Sequence, residues 1–114
     1  MDMNDYQVKA IRTAGTYDSD FKELAVLALG VAGEAGEVAD YIKKVVGHGH
    51  ALDKDKLTKE LGDVMWYVAV LSSAIGVNLE WLRSTLTSSR RDTQMASVVI
   101  AASTARTDRA DPLP

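Results

Sequence analysis

The chain has no cysteine, which excludes a disulfide frame, a thiolate metal site and a cysteine nucleophile, and leaves nothing that points to an oxidising compartment. It also lacks an excess of positive charge, since 13 basic residues face 16 acidic ones for a net charge of -3. Without a broad basic field to release counterions from a phosphate backbone, no nucleic-acid polymer is expected as a partner. Long apolar runs are missing as well. The most apolar stretch, residues 64–75, is about half the length needed to cross a bilayer. Met1 to Lys9 mixes acidic and polar residues where an export signal would need a basic start and an apolar run. The expectation is a cytoplasmic chain with no membrane partner. Strand-like alternation is absent before residue 90, so helices have no competitor there.

What is present is a soluble composition, 46% hydrophobic and 25% charged, as expected of a globular fold. A length of 114 residues suits one compact domain that buries roughly two thirds of its unfolded surface. Helical spacing organises it. Asp2 or Asn4 can cap a first helix with Val8, Ile11 and Ala14 on one face, ended by Gly15. Asp20, with Glu23 three residues later, predicts a capping box that opens a long second helix. Phe21, Leu24, Leu27, Val31, Val38, Ile42 and Val45 are its apolar positions, and Gly47 is the expected stop. A glycine-rich connection containing His48 and His50 follows, read as a solvated loop. Asp53 or Asp55 can cap a third helix with the stripe Leu57, Leu61, Val64, Val68, Leu71 and Ile75; Gly76 closes it, and Asn78 can cap a fourth that begins at Leu79. Short connections make such helices antiparallel neighbours, so the expected fold is an all-α bundle of about four helices. A bundle this small leaves one helix face uncovered, and a homo-oligomer, dimer or tetramer, is the expected remedy.

Two acid pairs carry the chemistry. Glu34 and Glu37 are three apart on the second helix, and Glu60 and Asp63 are three apart on the third. Residues at that spacing share a helix face, so antiparallel helices can aim four carboxylates at one point. Converging like charges repel and raise some pKa values unless a cation sits between them. An all-oxygen set suits a hard ion, magnesium or manganese, and not zinc. The ordinary reading of such a pair is a solvated acidic face. Solvated helices, however, tend to place Lys or Arg four residues after an acid, and here those positions hold Val38, Tyr41, Val64 and Tyr67. Gly30, Gly33 and Gly36 recur within one helix, each at a cost of roughly 1 kcal/mol relative to alanine. Either a backbone or phosphate approaches closely there, or the helices pack tightly or break.

The stretch GVAGEAGEVADYIKKVVGHGH, followed by LTKELGDVMWYVAVLSSAIGVNLEWL, resembles the MazG-like nucleoside triphosphate pyrophosphohydrolases. That all-α group is defined by Glu-Glu-x-x-Glu and, after a spacer, Glu-x-x-Asp. The resemblance assigns catalytic metal-ligand roles to Glu34, Glu37, Glu60 and Asp63. It places Gly33 where the family has the first glutamate of its doubled pair. Tyr67 matches a position that contacts nucleotide in relatives, and Trp66 beside it can stack on something flat. Lys43 and Lys44 can meet phosphate oxygens, with Lys44 also placed to pair with Asp40 four residues before it. The implied reaction converts a nucleoside or deoxynucleoside triphosphate to the monophosphate and pyrophosphate, with magnesium neutralising phosphate oxygens and activating water. The alternative is a non-catalytic helical nucleotide-binding or oligomerisation module that has lost activity through Gly33 and an altered C-terminus. A di-iron bundle would need histidine three after a glutamate, and neither His48 nor His50 meets that rule.

The resemblance ends in the eighties. Relatives continue with a segment like Lys-Leu-x-x-Arg-Tyr-Pro-Asp-Gly-Phe, whereas this chain reads TSSRRDTQMASVVIAASTARTDRADPLP. Read with the third base of each codon joined to the first two of the next, Arg91 to Ser97 can encode Arg-Tyr-Pro-Asp-Gly-Phe. The expectation is a helical core over residues 1–84 and a frameshifted tail over residues 85–114. The apolar run Val98 to Ala102 is then accidental, the end rich in Thr, Arg, Asp and Pro should be disordered, and Arg90 and Arg91 should not inherit the family's basic roles.

Overall fold

The structure is a computed structural model that describes residues 1–85 and 100–101. The rest of the expected tail, Arg90 and Arg91 included, lies outside the described residues. Among the described residues the helices α1 (Met3–Ile11), α2 (Asp20–His48), α3 (Lys54–Ala74) and α4 (Leu79–Ser84) follow one another, and no strand occurs. The chain divides into two units, Met1–Leu79 and Glu80–Pro114. None of the helices among the described residues is long and apolar enough to cross a membrane.

Local chemistry sets the helix ends. Asp2 caps α1 in a reciprocal box with Asp5, each side chain accepting from the other's backbone N–H at 3.1 and 2.8 Å. That helix stops at Ile11, earlier than Gly15, because the N–H groups of Thr13 and Ala14 turn back to Ala10 and Ile11 three residues behind. α2 is capped by Ser19, whose hydroxyl accepts from the Lys22 N–H at 3.1 Å, and not by an Asp20–Glu23 box. The shift by one residue leaves both acids in the first turn, where the helix dipole favours them. α2 also runs past Gly47 and ends at Gly49, which has φ of +68°. Only a residue without a Cβ takes that left-handed conformation cheaply, and Gly47 adopts ordinary helical backbone. Asp53 caps α3 by accepting from the N–H groups of Asp55 and Lys56. At the far end, Val77 N–H donates to Ser72 and Gly76 N–H to Ser73, the double bond of a Schellman turn.

In the first unit α2 and α3 form an antiparallel hairpin with α1 packed on α3. Its register follows from three contacts. Tyr41 meets Asp53, Glu34 meets Glu60 and Asp63, and Gly30 meets Tyr67, so one helix ascends as the other descends. The inward line of α2 passes through Leu27, Gly30, Val31, Glu34, Val38, Tyr41 and Val45, all buried or half-buried. Leu27 is completely buried. Phe21, Leu24 and Ile42, expected inside, are exposed, Phe21 at 83%. On α3 the buried positions are Ala69, Val70 and Ser72, while Leu61 and Ile75 are exposed. The expected α1 face is rotated too: Val8 and Ile11 face out, and the inner stripe is Met3, Tyr6, Gln7, Ala10 and Ala14. That stripe keeps helical spacing, but polar and small residues on it are outscored by Val8 and Ile11 when hydropathy alone is read.

Three side-chain tethers fix this unit. Buried Gln7 donates through Nε2 to the carbonyls of Ala69 and Val77, and its Oε1 accepts from the Leu79 N–H at 2.9 Å. The Tyr41 hydroxyl accepts from the Asp53 N–H at 2.7 Å and donates to the Asp53 carbonyl, closing the hairpin around the α2–α3 connection. Trp66 Nε1 donates to Thr13 Oγ1 at 2.8 Å, tying α3 to the residues just after α1.

Candidate metal centre

Glu34 lies on the inward line of α2 one turn before Val38, and Glu60 and Asp63 lie on the facing side of α3. Antiparallel packing brings one carboxylate oxygen from each of these half-buried acids within 4.8 Å of the others. Oxygens on opposite sides of one magnesium stand roughly 4 Å apart, so this is close to the span of a single small ion. Among the described residues the ion pairs join other partners, Lys22 with Asp18, Lys43 and Lys44 with Asp40, and Arg83 with Glu80, and none engages Glu34, Glu60 or Asp63. Three anionic oxygens facing one another in a half-buried gap repel unless a cation joins them. The donor set is entirely hard oxygen, so the residues present fit magnesium or manganese.

Glu37 is placed differently. It follows Glu34 by three residues, but the inward line continues through Val38 and Tyr41, and Glu37 is exposed and outside the three-acid group. Its charge acts instead on Lys44. The Lys44 ammonium is held above its ordinary value first by a hydrogen bond to Asp40, with Glu37 adding a smaller pull. Lys44 and Lys43 both pair with Asp40, at 2.8 and 3.3 Å on the exposed side of α2. The two lysines together hold the Asp40 carboxyl below its usual range.

Tyr67, one turn after Asp63, is half-buried with its ring laid over Gly30. A methyl at Gly30 would fall inside that ring, 2.6 Å from Cζ and nearer still to Cδ1 and Cε1. The close approach suggested by the glycines is thus met at Gly30 by an aromatic ring, whereas a Cβ at Gly33 or Gly36 would meet no neighbouring element within 4 Å. Trp66 meets the Tyr67 ring edge-on at 4.9 Å. His48 and His50 sit exposed where α2 ends, their rings 5.9 Å apart.

Tyr6 is a neighbour of the site that sequence spacing did not suggest. Its phenol is held above the ordinary value by burial first and by the negative charge of Asp63 second, which places Tyr6 of α1 within the field of the acid group. Lying beside Gln7 on the true inner stripe was the signal that could have found it.

Comparison with known proteins agrees with this geometry. Residues 22–86 match the family model of the MazG nucleotide pyrophosphohydrolase domain, a span that contains all three converging acids. The chain is also similar to the Gene 37 protein of Mycobacterium phage L5, with 41% identity over 95 residues, covering 76% of this chain and 80% of that protein. No solved structure matches the chain.

Proposed function

Since the chain belongs to the MazG nucleotide pyrophosphohydrolase domain family, we propose that it hydrolyses a nucleoside or deoxynucleoside triphosphate to the monophosphate and pyrophosphate, using magnesium or, alternatively, manganese. The observation that carries this reading is the meeting of Glu34, Glu60 and Asp63 oxygens from two antiparallel helices. When bound, the ion supplies charge for phosphate oxygens and lowers the pKa of water. The chain's own part is to hold three carboxylates in a half-buried gap and to provide a carboxylate that accepts the proton of the attacking water. Glu37, one turn further along α2, is a fourth ligand in this reading and comes in from the exposed side. Lys43 and Lys44 sit beside it as phosphate partners that exchange Asp40 for substrate. Tyr67 and Trp66 border the same gap as nucleotide contacts, although each already has a packing duty. The active form is a cytoplasmic homo-oligomer.

A second reading, a nucleotide-binding module without activity, is favoured by one observation. Gly33, where the family carries an acid, brings no carboxylate, and a Cβ there would meet open space. The two are separated by pyrophosphate release from a panel of nucleoside triphosphates with magnesium. Release by the native chain that falls roughly a hundredfold in Glu60→Ala, with helicity retained, is the expected result for a lost ligand. Glu37→Ala is expected to fall by at least about tenfold. No release from any of the three supports the binding module; equal release from all refutes the acid assignment.

A further inference from the structure

We infer that Gly30 is a positioning residue that, by leaving room for the Tyr67 ring, lets α2 and α3 close to the separation the acid group needs, an inference that rests on the metal reading above. Gly30 lies one turn before Glu34, and Tyr67 one turn after Asp63, so on antiparallel helices their contact is the next layer of packing beside the site. Helix separation depends on the side chains at the contact. Here the Tyr67 ring fills the space a Cβ would need, and the two helices lie closer than any other residue at position 30 allows.

The ring has no easy way out. The Trp66 ring meets it edge-on at 4.9 Å, and Trp66 is itself held by its bond to Thr13. A methyl at position 30 therefore acts on the helix spacing and not only on a rotamer. Asp63 has a short side chain with little reach, and its oxygen lies within 4.8 Å of those of Glu34 and Glu60. Moving α2 outward withdraws Glu34 from Asp63 before a longer side chain elsewhere can compensate. This accounts for a glycine in mid-helix, where alanine would otherwise be preferred.

The test is manganese binding to the full chain, followed by calorimetry and by the electron paramagnetic resonance signal of free Mn2+, with circular dichroism to verify helicity. Gly30→Ala is expected to weaken manganese binding by about tenfold or more, in the range found for residues that orient ligands. Gly47→Ala, in a helical position with open space, should leave binding unchanged. Adding Tyr67→Ala to Gly30→Ala should restore affinity to within about threefold of the parent, a coupling that a merely destabilised helix would not show. Should the single variant not fold, Tyr67→Ala compared with the double variant carries the same information, since with the ring gone the methyl should cost less than about threefold. Parent-like binding by Gly30→Ala, or a double variant as weak as the single one, overturns the inference. Absence of manganese binding by the parent chain overturns the metal reading itself.

Discussion

Gln7 uses both amide hydrogens and its carbonyl oxygen on backbone groups of Ala69, Val77 and Leu79. Truncation to alanine would leave buried donors and acceptors without partners, at a cost of about 2–3 kcal/mol. Urea unfolding of Gln7→Ala should show that loss; a change below ~0.5 kcal/mol would mean that water replaces the side chain. Residues of this kind were not legible in the sequence. Gln7 and Tyr41 are polar or amphipathic, and their side chains find their backbone partners only when the helices meet. Glu34, Glu60 and Asp63 were legible for the opposite reason. Charged residues on the apolar line of a helix cost energy, so their placement among Val38, Val64 and Tyr67 marks them out. Glu37 shows the limit of spacing rules: three residues from Glu34, it lies about 60° from it around the helix, enough to leave the inward line.

At the scale of elements, the number and order of helices followed from caps and glycines, while their ends and rotations did not. Ser19, Asp20 and Asp18 stand together, and any of them has the chemistry of a cap; which one wins depends on where the chain arrives from Tyr17. Gly47 and Gly49 pose the same choice at the other end of α2, and φ of +68° at Gly49 resolves it. Gly49→Ala should therefore lower stability by about 1 kcal/mol. Gly47→Ala, in helical backbone with open surroundings, should raise it by up to about 1 kcal/mol. Thermal unfolding of the pair checks the assignment, and the opposite order would place the end of α2 at Gly47.

For the whole molecule, the exposed apolar residues matter most. Phe21 at 83%, Leu29 at 72% and Val46 at 79% exposure lie along α2, and covering exposed apolar side chains is what association with a second copy would do. This supports the proposed homo-oligomer, and sedimentation velocity should find a dimer or tetramer at micromolar concentration. A monomer at all concentrations would remove that part of the proposal. The tail from about residue 85 is a separate matter: the proposed frameshift is settled by the gene sequence, where an uninterrupted alternative frame encoding Arg-Tyr-Pro-Asp-Gly-Phe is the expected result.

On the proposed reading α2 and α3 keep this register to hold one divalent ion between Glu34, Glu60 and Asp63. Its most direct test is an anomalous difference map from crystals soaked in manganese. A peak bounded by oxygens of those three acids is the expected result; strong density elsewhere, such as between His48 and His50, with none among the acids, would remove the proposed metal site.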